Sequence, residues 1–173
     1  MCSRIPMHTS ILIRLFRFNN LNVKTCDVET SINNSPPVIT PMPAVTIPKG
    51  TAFVLTALAT DQEGDPLTYT WEEVDNATVE ITKTNLGTTT SGASFRSIMG
   101  TASPTRYFPK LATVMSGVLS DPNGWEAVSS VARSSNYRVT VRDNNPDPLQ
   151  QQTQEALQSV TVHANGPFKI TST

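Results

Sequence analysis

The feature that most constrains the fold is an alternation of apolar and polar side chains in residues 67–74. Leu67, Tyr69 and Trp71 occupy every second position. Because successive side chains of a β-strand point to opposite faces, this period places all three on one face of a sheet. The cleanest alternation in the chain lies in residues 136–143. The sequence therefore predicts sheets with one buried and one solvated face.

Other strands are predicted where apolar residues alternate between turn-forming residues. The predicted strands lie at 45–47, 52–60, 67–74, 103–109, 136–143 and 156–163, with a weak strand at 79–83. Residues 111–118 are expected to form one or two helical turns, and the polar stretch 75–96 is expected to be largely irregular. About seven antiparallel strands around a central Trp71 predict an all-β fold, an immunoglobulin-like antiparallel β-sandwich with a long irregular insertion.

The chain is divided by composition into three segments. Residues 1–35 form an N-terminal extension and linker that is expected to be poorly structured, and its end is rich in asparagine and proline. Residues 36–165 form the predicted sandwich, and residues 166–173 are expected to begin a truncated following segment. Cys2 and Cys26 both precede the sandwich, and two unrelated thiols are favoured over a disulfide.

Charge gives little indication of a charged partner. The chain has 13 Lys and Arg against 14 Asp and Glu, so no global attraction to nucleic acid or anionic membrane is predicted. The arginines are spread along the chain and are expected to lie on a solvated face: Arg96, Arg106, Arg133, Arg138 and Arg142. The apolar residues 11–18 are interrupted by arginines and are too few to span a bilayer, so no membrane insertion is predicted.

Two polar loops contain the candidate metal ligands. In a sandwich, the loop after the second strand and the loop between the last two strands emerge at the same end, and the linker enters there too. The candidate ligands are Asp61, Glu63 and Asp65 from the first loop, Asp143, Asn145 and Asp147 from the second, and Asn34 from the linker. Calcium takes six to eight oxygen ligands, so it is the predicted ion. The alternative is that these residue types only build β-turns.

Catalytic motifs are missing from the sequence. The only histidines are His8 and His163, and neither has a partner at zinc-ligand spacing. The sequence has no Gly-x-Ser-x-Gly elbow and no phosphate-binding glycine loop. No enzymatic activity is predicted for this chain.

Several segments together resemble one protein family. They are TIPKGTAFVLTALATDQEGDPLTYTWEEVDNA (46–77), FRSIMGTASPTRYFPKL (95–111), WEAVSSVARSSNYRVTVRDN (125–144), GPFKITST (166–173) and TCDVETSINN (25–34). They resemble the cadherin-like or PKD-like accessory domain of secreted bacterial reprolysin-type zinc metallopeptidases. The resemblance implies an extracellular location and a neighbouring domain of a larger secreted protein as partner. The zinc-binding His-Glu-x-x-His helix of that family is missing, so protease activity is not carried over.

The expected function is therefore that of a non-catalytic, calcium-stabilised extracellular module that acts in domain positioning, adhesion, or substrate or surface binding. One alternative is a self-assembling subunit of a filament or surface layer, in which exposed edge strands pair between copies. Another is a carbohydrate-binding module that uses Tyr107, Phe108 or Trp125. A third is a fragment of a zinc metallopeptidase whose catalytic domain is absent here.

Overall fold

The computed structural model describes residues 31–167, which form strands and one short helix. The ten strands in this range are β1 (Val38–Ile39), β2 (Val45–Pro48), β3 (Phe53–Thr56), β4 (Ala59–Thr60), β5 (Leu67–Glu73), β6 (Thr105–Phe108), β7 (Ser120–Asp121), β8 (Glu126–Ala127), β9 (Arg133–Asp143) and β10 (Thr153–His163). The helix α1 is Leu111–Met115. The predicted all-β class is confirmed.

A four-stranded sheet in the order β2-β10-β9-β5 is the largest sheet of the described residues. The strand β9 lies between β10 and β5 and is antiparallel to both. The pairs β1–β4, β3–β6 and β7–β8 complete the strand pairing, and each pair is antiparallel. The strand β2 is parallel to β10, so the prediction that all strands are antiparallel is wrong. These two strands are far apart in sequence, and turn spacing says nothing about such a pair.

The core side of the four-stranded sheet carries the apolar residues that the alternation predicted. Val139 and Val141 are completely buried, and Trp71 is buried beside them. The indole Nε1 of Trp71 donates a hydrogen bond to the carbonyl of Pro104 at 3.0 Å. A buried indole N–H therefore has a partner, as a stable core requires.

A cluster of four aromatic rings joins the β3–β6 pair to the four-stranded sheet. Phe53 of β3 stacks on Phe108 of β6, with ring centroids 5.0 Å apart. Phe108 contacts Tyr137 of β9 edge to face at 4.9 Å. Phe95, from the segment between β5 and β6, meets Phe108 at 5.2 Å. Each such pair contributes about 0.5–1.5 kcal/mol beyond its buried area.

Two predicted strands differ from the structure for local reasons. The segment 52–60 is divided into β3 and β4, because its pairing partner changes from β6 to β1. No strand forms at 79–83. There the Asn85 side chain accepts the N–H of Thr82 at 2.7 Å and donates to the carbonyl of Glu80 at 2.8 Å. Such side-chain bonds to the backbone compete with strand pairing.

The described chain enters and leaves the four-stranded sheet at opposite ends. Asn34 lies beside Asp143, near the start of β10, whereas Asn165 follows its end and contacts Lys49. The eleven residues of β10 separate these ends by roughly 35 Å. None of the described residues forms a helix of the length and apolarity needed to cross a bilayer. The predictions for Cys2, Cys26, His8 and residues 11–18 lie outside residues 31–167.

Candidate functional site

The acidic loop between β4 and β5 is organised by Asp61. One carboxylate oxygen, Oδ1, accepts the backbone N–H groups of Glu63 at 3.1 Å and of Asp65 at 2.9 Å. The other oxygen, Oδ2, is buried and has no hydrogen-bond partner among the described residues. An aspartate whose side chain accepts backbone N–H groups two and four residues ahead closes a tight turn. The loop therefore has a defined conformation, and Asp61 Oδ2 is a buried oxygen that could accept a further ligand.

The loop after β9 is organised by Asp143, which is only 2% exposed. Both of its carboxylate oxygens accept the backbone N–H of Gln152 at 2.9 Å. The two loops contact each other directly, because Asn145 Nδ2 donates to Asp65 Oδ2 at 2.7 Å. Asn144 adds a second connection by donating from its backbone and side-chain nitrogens to the Pro66 carbonyl.

The entering segment, residues 31–35, is bound to both loops. Asn34 Nδ2 donates to Asp143 Oδ2 at 2.9 Å and to the Gln150 carbonyl at 3.1 Å. Ser35 Oγ donates to Glu63 Oε1 at 2.9 Å. The side chain of Gln150 accepts the Asn33 N–H at 2.8 Å and donates to the Ser31 carbonyl at 3.0 Å. We call these contacts, together with the hydrogen bonds within and between the two loops, the entry network.

The entry network unites six of the seven predicted ligands, namely Asn34, Asp61, Glu63, Asp65, Asp143 and Asn145. The seventh, Asp147, uses its side chain within its own turn, where Oδ1 accepts the Leu149 N–H at 3.0 Å. The backbone N–H of Asp147 still donates to Asn145 Oδ1 at 2.9 Å. Its carboxylate is therefore the member of the predicted set that is not brought into the network.

The carboxylates of the network do not form a preorganised metal-binding site. Within residues 31–167, no group of three or more His, Cys, Asp or Glu side chains is arranged to hold a metal ion. The side-chain amide of Asn34 donates to the Asp143 carboxylate, and that of Asn145 donates to the Asp65 carboxylate. Two buried oxygens in this region lack hydrogen-bond partners among the described residues, Asp61 Oδ2 and Asn34 Oδ1. A half-turn of either amide would replace its donating nitrogen with an oxygen, which is the ligand type that calcium takes.

A buried ion pair that the sequence reasoning missed lies on the core side of β5 and β9. Arg133 Nη2 is 3.2 Å from Glu73 Oε1. Glu73 Oε2 also accepts the backbone N–H groups of Ser94 at 2.6 Å and Phe95 at 3.1 Å. Burial raises the pKa of Glu73 by more than the charge of Arg133 and the hydrogen bonds from Ser94 and Ser135 lower it. Arg133 also donates to the Gly92 carbonyl at 2.6 Å, so the pair holds the segment before β6 against the sheet.

A second buried pair joins β6 to β8. Arg106 Nη2 is 3.0 Å from Glu126 Oε1, and both side chains are almost completely buried. Arg106 also donates to the carbonyls of Trp71 at 2.5 Å and Arg96 at 2.7 Å. Burial lowers the pKa of Arg106, and the hydrogen bond and charge of Glu126 act in the opposite direction.

The prediction that all five arginines lie on a solvated face is therefore wrong for Arg106 and Arg133. The alternation of side chains along a strand could have indicated three of these buried charges, because residues an even number of positions apart share a face. Arg133 shares a face with Tyr137 on β9, and Glu73 shares one with Trp71 on β5. Arg106 shares a face with Phe108 on β6.

The three aromatic residues considered for carbohydrate binding occupy different environments. Phe108 is completely buried, so its ring is not accessible to a sugar. Tyr107 points to the opposite face of β6 and is 42% exposed. Trp125 is half-buried and has a positive φ of 55°.

Comparisons of the chain with family models, curated proteins and solved structures gave no match.

Proposed function

We propose that this chain is a non-catalytic extracellular module that holds the segment entering it in a fixed orientation, with calcium stiffening the junction. The observation that carries the proposal is the entry network. Residues 31–35 are hydrogen-bonded to both loops, by backbone groups as well as by the side chains of Asn34 and Ser35. A linker bound at several points transmits the orientation of one module to the next, whereas a linker bound at none behaves as a flexible coil.

The strand pairing supports an immunoglobulin-like form of the fold. Three antiparallel strands, β5, β9 and β10, form one layer, and the β3–β6 pair packs on it through Phe53 and Phe108. This arrangement agrees with the sheets of an immunoglobulin-like sandwich, and with the resemblance to cadherin-like and PKD-like accessory domains. The opposite positions of Asn34 and Asn165 suit a module that is joined in line with its neighbours.

Calcium is proposed as the ion because of the charge balance at the junction. Asp143 is buried, yet no ion pair of the described residues includes it. Asp61 and Asp65 lie in the same network, and close carboxylates repel one another. A divalent cation would neutralise this charge and give the buried oxygens of Asp61 and Asn34 a partner.

The calcium part of the proposal is tested by titration calorimetry together with thermal unfolding in calcium and in EDTA. We expect a measurable binding heat and a higher Tm in calcium, because an ion that binds only the folded state stabilises it. No binding heat and identical Tm values would overturn the role of calcium.

The junction is tested separately by amide hydrogen exchange at Asn33, whose N–H is bound to Gln150. We expect protection in the wild type and faster exchange in Gln150→Ala. Gln151→Ala is the control, because that side chain donates to the Asn145 carbonyl and not to the entering segment. Equal, fast exchange at Asn33 in all three proteins would contradict a fixed junction.

Self-association is the second candidate, and one observation favours it. Exposed apolar side chains lie on β1, β3 and β6 and on the connection between β3 and β4; they are Val38, Val54, Tyr107 and Leu58. Val54 lies opposite Tyr107 in the β3–β6 register, and hydroxyls of Thr56 and Thr105 fill the next position. An exposed apolar surface of this kind is a common site of protein association. Light scattering should then show a dimer or larger species that Val54→Lys disrupts, and a monomer at micromolar concentration would contradict this candidate.

A further inference from the structure

Residues 121–124, at the end of β7 and in the turn that follows, bring the Asp121 carboxylate and the Lys83 ammonium next to the Asn123-Gly124 pair. Their sequence is Asp-Pro-Asn-Gly. The backbone nitrogen of Gly124 donates to Asp121 Oδ1 at 3.0 Å. The ammonium of Lys83 donates to Asn123 Oδ1 at 3.1 Å. Lys83 and Asn123 are both exposed, so water reaches the site freely.

We propose that Asn123 is a site of self-catalysed deamidation, in which Asp121 and Lys83 take part. In the first step, the Gly124 nitrogen attacks Cγ of Asn123 and forms the N–Cγ bond of a succinimide. This nitrogen must lose its proton, and Asp121 Oδ1 already accepts its hydrogen bond, so this carboxylate is placed to act as general base. The nitrogen attacks with the lone pair above its amide plane, and that face is not used by the in-plane hydrogen bond.

The Lys83 ammonium stabilises the negative charge that develops on Asn123 during this attack. As the Asn123 carbonyl becomes tetrahedral, negative charge builds on Oδ1, where the Lys83 ammonium donates. The Cγ–Nδ2 bond then breaks, and the nitrogen leaves as ammonia with the proton that Asp121 received. Water opens the succinimide at either carbonyl and gives aspartate or isoaspartate at position 123. The net reaction is therefore hydrolysis of the side-chain amide, with water as the only co-reactant.

Two features of this arrangement depend on glycine at position 124. A Cβ at this position would collide with the carboxylate of Asp121, so a larger residue would push the base away. Glycine also leaves the attacking nitrogen unhindered, because its α-carbon carries no side chain.

The products would change the contacts of the turn. An aspartate at position 123 places a carboxylate next to Lys83 and converts a neutral hydrogen bond into an ion pair. An isoaspartate inserts an additional carbon into the backbone of residue 123, two residues before Trp125, whose carbonyl accepts the Arg96 N–H at 3.0 Å. The reaction would therefore act on the contact between this turn and the segment before β6.

The chain contains an internal control for this reaction. Asn165 and Gly166 form a second Asn-Gly pair, and Asn165 is also exposed. In the part of the chain that the structure describes, no carboxylate accepts the Gly166 N–H and no lysine donates to the Asn165 side chain. The two sites share the same dipeptide and differ in the groups around it.

The test incubates the purified full chain at neutral pH and follows both sites by peptide mapping with mass spectrometry. We expect Asn123 to deamidate about tenfold faster than Asn165 in the folded protein, below the 10²–10⁴-fold contribution of a fully preorganised base. In urea the two rates should become similar, because the surrounding groups disperse. Asp121→Asn keeps an oxygen that can accept the turn hydrogen bonds but removes the base, and it should bring Asn123 down to the rate of Asn165. Lys83→Gln should reduce the rate at Asn123 and leave the rate at Asn165 unchanged.

Three results would overturn the proposal. The first is equal or slower reaction at Asn123 relative to Asn165 in the folded wild type, a comparison that needs no variant. The second is an unchanged rate in Asp121→Asn, provided that its unfolding curve shows it to be folded. The third is loss of ammonia without uptake of water, with the peptides of Lys83 and Asn123 linked, because that product is an amide cross-link and not a deamidated residue.

Discussion

Arg133 Nη2 lies 3.2 Å from Glu73 Oε1, and both side chains are almost completely buried. The pair is the point at which the segment before β6 is attached to the four-stranded sheet, because Glu73 accepts N–H groups of Ser94 and Phe95, and Arg133 donates to Gly92. A buried pair of this kind contributes little net stability compared with an apolar replacement of the same size, but the loss of one partner is costly.

Arg133→Met is therefore expected to lower the free energy of unfolding by about 3–5 kcal/mol, because Glu73 stays buried without its cationic partner. Urea unfolding followed by tryptophan fluorescence measures the change. Arg138→Met is the control. Arg138 pairs with Glu155 at a similar 3.2 Å, but both side chains are largely exposed. Its loss should cost at most about 1 kcal/mol. Equal effects of the two substitutions would contradict the structural role of the buried pair.

The pH dependence of stability should carry a signature of Glu73. Burial raises the pKa of this carboxyl above its usual value of 4.5. A carboxyl whose pKa is raised on folding contributes stability that is fully present below pH 4.5 and is lost as the pH rises through the folded pKa. The stability of the wild type relative to Glu73→Gln should therefore fall as the pH is raised from about 4 toward neutrality. Urea unfolding of both proteins across this range measures the change. A relative stability that rises with pH would contradict a raised pKa of Glu73.

Asp143→Asn should abolish the increase in Tm that calcium is proposed to cause, because it removes the buried negative charge at the centre of the entry network. Asp147→Asn is the matched control, since that carboxylate caps its own turn. It should retain most of the calcium effect. Thermal unfolding of each variant in calcium and in EDTA distinguishes them. An equal loss of the effect in both variants would place Asp147 among the ligands, as the sequence predicted.

Phe108→Ala is expected to destabilise the fold by about 3–5 kcal/mol, because this ring is completely buried and contacts three other aromatic rings. Tyr107→Ala, one residue earlier on the same strand, is the control. Tyr107 is 42% exposed, so its loss should cost much less than that of Phe108. Chemical unfolding of the two variants compares the two faces of β6 directly, and a larger effect at Tyr107 would contradict the assigned faces.

The sequence by itself determined the long central strands β5 and β9 and the apolar faces they bury. The alternation in 67–74 and 136–143 predicted that Trp71, Val139 and Val141 lie inside, and all three are buried. It also predicted that two polar loops and the linker meet at one end, because loops that follow alternate strands of a sandwich share an end. Asn34, Asp65 and Asp143 meet there through hydrogen bonds.

Tertiary structure alone decided which strands pair and which charges are buried. The parallel pairing of β2 with β10 joins segments more than one hundred residues apart, and no local pattern encodes it. Strand parity placed Arg133 and Glu73 on inward faces, but a charged residue at such a position is stable only if a partner reaches it. The partner comes from another strand, so the burial of both residues follows from the packing of the whole chain.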